Sequence, residues 1–172
     1  MQRARHPYPR FTGLTPASEA SSRAKRANPS SETATELRLR RELWRRGLRY
    51  RKDVRTVTGR PDLMFRRAGV VVFCDGDFWH GRDWRSLRLR LTRHANSDYW
   101  VAKIRRNMQR DEQVTALLRR QGWRVIRLWE TDIHRQLHRV AGYIRRVVRS
   151  RQTLEKMASK TSPSYPRRDR DH

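Results

Sequence analysis

Apolar positions along the chain recur first with helical spacing, then with strand spacing, in an order that predicts α-β-β-β-α-β-α. Ser31 or Thr33 is placed to cap a first helix, with Glu36 as the N3 partner of Thr33 in a capping box. Leu37, Leu43, Trp44 and Leu48 supply its approximate core face and Gly47 its stop. Tyr50 to Val57 has strand character, Thr58 to Pro61 reads as a turn, and Asp62 to Phe65 starts a second strand. After a turn at Arg66 to Gly69, Val70 to Cys74 is continuously apolar, the pattern of a central strand. Arg85 to Ala95 reads as a basic loop. A long helix follows, capped by Asn96 or Ser97, carrying Trp100, Ile104, Met108, Leu117 and Leu118 and closed by Gly122. Trp123 to Trp129 is a fourth strand, and Leu137, Val140, Ile144 and Val147 mark a last helix that runs to about Ser150. The fold class is α/β, a mixed sheet flanked by helices.

Outside this stretch the periodicity stops. Residues 1–31 read as a basic disordered arm whose only acid is Glu19, and residues 151–172 as a basic disordered tail. One domain over 32–150 remains. The arm either trails along phosphates or is an inert leader. The chain carries 42 Lys+Arg against 17 Asp+Glu, a formal net charge of +25. A charge of that size calls for a polyanion, and nucleic acid is the first candidate. Nearly all the cations are arginine, which suits bidentate phosphate binding; a GC-rich coding sequence accounts for part of the arginine but not for the scarcity of acids. Cys74 is the single cysteine, so a disulfide framework within the monomer is excluded and a reducing compartment is expected. The longest apolar run is far too short to span a bilayer and the N-terminus lacks an apolar h-region. The expectation is a soluble, cytoplasmic, nucleoid-associated monomer without a membrane partner.

The stretch Val70 to Trp84 passes from an apolar strand into an acidic turn, an aromatic pair and a histidine. Such a change at a strand end marks a site held by a rigid scaffold. A hairpin brings Asp62, at the start of one strand, to the level of Cys74 to Asp77 at the end of the next. Carboxylate and carbonyl oxygens there suit magnesium. On its own, a Pro-Asp pair more often just ends a turn. His80 is the natural general base, since its ordinary titration range makes it a proton acceptor at cellular pH; the plainer alternative is a histidine that only bonds its own turn. Phe78 and Trp79 either pack under the turn or stack on and wedge between bases.

Taken in order, the motifs E-L-x-L-R, L-W-x-x-G-L-R-Y-R, G-R-P-D-L-x-F, V-V-F-x-x-G-x-F-W-H-G, Y-W-x-x-K-I-x-x-N-x-x-R-D and G-W-R-V-x-x-x-W-E resemble the very short patch repair (Vsr) DNA mismatch endonucleases over about residues 24 to 137. The resemblance implies a restriction-endonuclease-like core and a magnesium-dependent enzyme that nicks double-stranded DNA 5′ of the thymine in a T·G mismatch, with mismatch-repair accessory proteins as further partners. It places Asp62 as the metal-bridging aspartate and Cys74 as donor of a backbone carbonyl to the metal. It gives His80 the activation of the attacking water and makes Glu36 an acidic companion from the first helix. Phe78 and Trp79 become the wedge beside the mismatched pair. Lys103, Asn107 and Arg110, on one face of the long helix, either support the site or hold phosphate.

Two departures stand out. The family's structural zinc is held by cysteines and a histidine, whereas the corresponding positions here are Asp77, Arg82, Trp84 and Thr131. No structural zinc is expected, and the loop is left to packing, with Trp84 a candidate, and to salt bridges such as Asp83 with an arginine. Asp75 stands where the repair enzymes commonly have histidine, which makes it a further catalytic candidate and a second metal ligand. Both changes touch mismatch specificity more than nuclease chemistry. They keep two rivals open: a restriction or defence nuclease acting on undamaged or modified DNA, and a non-catalytic basic DNA-binding module.

Overall fold

The computed structural model describes residues 33–93 and 96–161, with side chains to residue 158. The arm 1–31, the cap expected at Ser31 and the last residues of the tail lie outside the described residues. Helix α1 (Ala34–Arg45) is capped by Thr33, whose hydroxyl oxygen accepts from the Glu36 N–H at 3.2 Å and donates to Glu36 Oε1 at 3.0 Å. It is followed by β1 (Arg51–Lys52), β2 (Leu63–Phe65), a 3-10 turn (Arg66–Ala68) and β3 (Val70–Asp75). The chain continues through α2 (Trp84–Leu91), α3 (Ser97–Arg120), β4 (Arg124–Trp129), α4 (Glu130–Arg135) and α5 (Leu137–Thr161). The sheet order is β1-β2-β3-β4, antiparallel except for the parallel pair β3–β4, in which Phe73 lies opposite Arg127.

The alternation of β3 divides the core. Val70 and Val72 face α1 and α5, where Leu39, Leu43, Ala141, Ile144 and Val148 bury them. Val71 and Phe73 face α3 and pack on Val114 and Leu118. Continued for one more step, the same alternation leaves Cys74 packed against the first cluster and presents Asp75, almost wholly buried, on the α3 side. The strand that fills both cores therefore ends by delivering polar atoms to both faces.

Four expectations need correction. The strand read over Tyr50 to Val57 shrinks to Arg51–Lys52, because left-handed Asp53 (φ 45) breaks the extended run. The basic segment read as a loop at Arg85 to Ala95 is helix α2; Leu87 and Leu91, four residues apart, close a third cluster with Ile104, and Trp84 packs against it. The short helix α4 was not anticipated. Helix α5 continues to Thr161 instead of stopping near Ser150, anchored on the way by Arg151, which donates to the Ala68 and Gly122 carbonyl oxygens at 3.3 and 3.1 Å. Among the described residues no helix is long and apolar enough to cross a membrane.

Candidate active site

Asp62 sits at the mouth of β2, where Pro61 is fully buried and holds the chain's direction. Its Oδ2 accepts the Cys74 backbone N–H at 2.7 Å, so the first strand's carboxylate is pinned to the end of the next strand. Burial pushes the Asp62 carboxyl up to about 6, with Glu36 and Asp75 adding repulsion against the Cys74 hydrogen bond and Arg127. Burial, followed by the charges of Asp62, Glu36 and Asp75, also raises the Cys74 thiol well above its usual range. Three carboxylates, those of Glu36, Asp62 and Asp75, thus converge at the end of β3. A hard divalent cation held by oxygen atoms fits that donor set.

On the α3 face lies a second constellation. Both oxygens of Asp75 are taken by Arg127, at 2.7 Å from Nε and 2.6 Å from Nη2. The pair is diagonal across the β3–β4 register, and the guanidinium lies 4.9 Å above the Phe73 ring. Arg127 Nη2 also reaches Asp111 Oδ1 at 3.1 Å. Asp111 Oδ2 lies 2.5 Å from His80 Nδ1, while Asp75 Oδ1 is 3.5 Å from the same nitrogen. Burial raises the Asp111 carboxyl, but the hydrogen bond and charge of His80, with Arg127 and Arg110, bring it below its ordinary value. An ionised carboxylate only accepts, so Nδ1 carries a proton, and in the neutral imidazole the lone pair is then on Nε2. Asp75, His80 and Asp111 each offer a ligand atom within 4.8 Å of the others, a group that could hold a metal ion. Arg127 already occupies both of its carboxylates.

The turn between β3 and α2 is clasped by α3. Asn107 Nδ2 donates to the Trp79 carbonyl oxygen at 2.9 Å, one helical turn before Asp111. Lys103 Nζ lies 4.8 Å above Trp79 and 5.1 Å from the Trp100 ring centre. Phe78, Trp79 and Trp100 form an aromatic cluster with centroids 5.0 to 5.9 Å apart, Phe78 edge-on to both tryptophans and the two indoles tilted. Phe78 and Trp79 remain 39% and 38% exposed, so the cluster offers a face to solvent. Arg110 is nearly half exposed and stands 3.9 Å from Asp111.

Glu36, Asp62, Cys74 and Asp75 are therefore gathered at one end of the sheet, and His80, Phe78, Trp79, Lys103 and Asn107 around the adjoining turn. Asp111, Arg127 and Trp100 were missed. For Asp111 the signal was its place one turn after Asn107; for Arg127 it was a charge at an inward position of WRVIRLW, between Val125 and Trp129. The loop is held by Arg82 with Asp77 and Asp132, not by Asp83. Burial raises Asp77, but hydrogen bonds from Thr131 and Arg82 keep it below its usual range.

Comparison with known proteins gives a consistent result. The family model for "DNA mismatch endonuclease Vsr" matches residues 15–86. The type II nicking enzyme V.NmeDIP of Neisseria meningitidis serogroup C is 39% identical over 147 residues, 86% of this chain and 97% of that protein. The type II nicking enzyme V.HpaIIP of Haemophilus parainfluenzae is 41% identical over 109 residues, 63% of this chain and 76% of its own length. The DNA mismatch endonuclease Vsr of Escherichia coli K12 is 34% identical over 105 residues, 61% of this chain and 65% of its own.

Proposed function

This chain belongs to the Vsr family of DNA endonucleases, with the restriction-endonuclease-like α/β core of that family, and on that premise we propose that it nicks one strand of duplex DNA at a T·G mismatch with magnesium as cofactor. The observation that carries the reading is the His80–Asp111 pair set beside the Asp62 strand end, under an aromatic face open to solvent. Asp62 and the Cys74 carbonyl would hold the ion, with Glu36 as acidic companion. Asp75 serves as the partner of Arg127 in this reading, because a cation taking its oxygens would have to displace a bidentate guanidinium. Bound magnesium supplies charge neutralisation at the phosphate and a more acidic water. Asp111 keeps the His80 proton on Nδ1, which leaves Nε2 to take the proton of the attacking water. Phe78 and Trp79 meet the bases and Lys103 and Arg110 the phosphates, while Asn107 holds the Trp79 backbone.

The names of the type II nicking enzymes among its relatives favour a second reading, a nuclease attached to a restriction or defence system. One panel of duplexes separates the two. Matched, methylated and T·G-containing duplexes are incubated with magnesium, and the cut sites mapped. A nick confined to the T·G duplex, lost in Asp62→Ala, is the expected outcome. Equal cutting of matched duplex would transfer the case to the second reading, and wild-type cutting by Asp62→Ala would remove the active-site assignment.

A further inference from the structure

One polar network ties down both ends of the turn that carries Phe78, Trp79 and His80. Asp77 Oδ2 accepts from the Thr131 backbone N–H at 3.0 Å and from Thr131 Oγ1 at 2.6 Å. Asp77 Oδ1 accepts from Arg82 Nη1 at 3.0 Å, and the Arg82 backbone N–H donates to the Asp77 carbonyl at 2.9 Å. The second guanidinium nitrogen of Arg82 donates to Asp132 Oδ1 at 2.8 Å. The residue just before the aromatic pair and the residue two after the histidine are both fastened to the head of α4, directly behind the end of β4.

Asp77, Arg82, Trp84 and Thr131 stand where the family resemblance puts the ligands of a structural zinc. A guanidinium and an indole have no lone pair to offer a metal, and the Asp77 carboxylate is already filled by three donors, so zinc does not fit this set. We propose that Asp77, Arg82 and Thr131 form a metal-free staple that positions the His80 turn against Asp111 and α3. The proposal rests on the nuclease reading for its effect on turnover. A partly solvated ion pair of this kind contributes little stability by itself. Three donors converging on one carboxylate nevertheless fix its direction, and the turn has no freedom to rotate while they hold. The residues act through His80 and the aromatic pair, and so are positioning residues.

The test uses the full chain as wild type, Asp77→Ala, Thr131→Val and Thr131→Ser. Zinc content is measured directly, deuterium uptake is followed over residues 76–83, and single-turnover nicking is compared with DNA affinity. The wild type is expected to carry no stoichiometric zinc and to keep its turnover in a zinc-selective chelator that spares magnesium. Asp77→Ala and Thr131→Val are expected to speed exchange in the turn and to slow nicking by about tenfold or more, with DNA affinity within about twofold of wild type. Thr131→Ser, which keeps the hydroxyl, restores both. Stoichiometric zinc overturns the proposal, as does an Asp77→Ala protein with wild-type exchange and turnover. Should the wild type nick no duplex, the nuclease reading fails and the exchange rates still decide the staple.

Discussion

Asp62 carries a charge that the fold resists. Its carboxyl is pushed to about 6 by burial beside Glu36 and Asp75, against an ordinary value near 3.8. Because the folded value is raised, stability from this group is fully present below the unfolded value and is lost as pH rises through about 6. Above that the ionised group costs on the order of 2–3 kcal/mol. In metal-free buffer at pH 8, Asp62→Asn should therefore melt above the wild type, and the gap should narrow toward pH 4; a gap that does not move with pH would remove this account. Magnesium should narrow it at pH 8 by binding the wild type alone. The same substitution should abolish nicking. Asp111 makes a separate prediction. An amide at this position can donate to Nδ1 and favour the wrong tautomer, so Asp111→Asn should lower the single-turnover rate by about a hundredfold or more with DNA binding retained. At this scale Asp62 and His80 were legible because strand ends and motif residues pointed to them. Asp111 was hidden among the acids of α3, since helical spacing does not say which one faces a turn far away in the chain. Arg127 was hidden among 42 basic residues, where arginine is too common to be informative.

The elements succeed or fail as clasps on the His80 turn. Gly81 has φ +72, and a Cβ there would lie 2.5 Å from Met108 Sδ and 3.3 Å from Ile104 Cγ2 on α3. Gly81→Ala thus meets both a disfavoured backbone and a packed helix, and should cost about 1–3 kcal/mol while moving His80 off Asp111. Thermal melts and single-turnover nicking should fall together; an alanine variant of wild-type activity would show that the clasp is looser than the geometry implies. Strands β2, β3 and β4 and helix α3 were legible from apolar runs and helical spacing closed by Gly122. Helix α2 was not, because the sequence LRLRL alternates with strand period while its buried pair, Leu87 and Leu91, recurs at helical spacing. The far end of α5 was missed for a related reason: beyond Val148 it leaves the core, so apolar periodicity fades while the backbone bonds continue. In both cases tertiary context decided what local pattern left ambiguous.

For the whole molecule, the dominant quantity is the net charge of +25, which the site's acids reduce only locally. Each phosphate neutralised by an arginine or lysine releases condensed counterions, and affinity for duplex DNA falls with a log–log slope of about −0.9 per contact. With six or more contacts, binding should weaken by about a thousandfold or more between 50 and 200 mM salt. Phosphate contacts carry no base information, so matched and T·G duplexes should lose affinity in parallel. If the aromatic face and the His80 turn choose the substrate, as proposed, the ratio of their nicking rates should stay level over the same range. A titration of binding and single-turnover rates on both duplexes measures the two effects separately. A flat binding response would show that the basic surface is not the DNA track. A ratio that collapses with salt would place discrimination in the arginines, and Phe78 and Trp79 would then lose their assigned part in choosing the substrate.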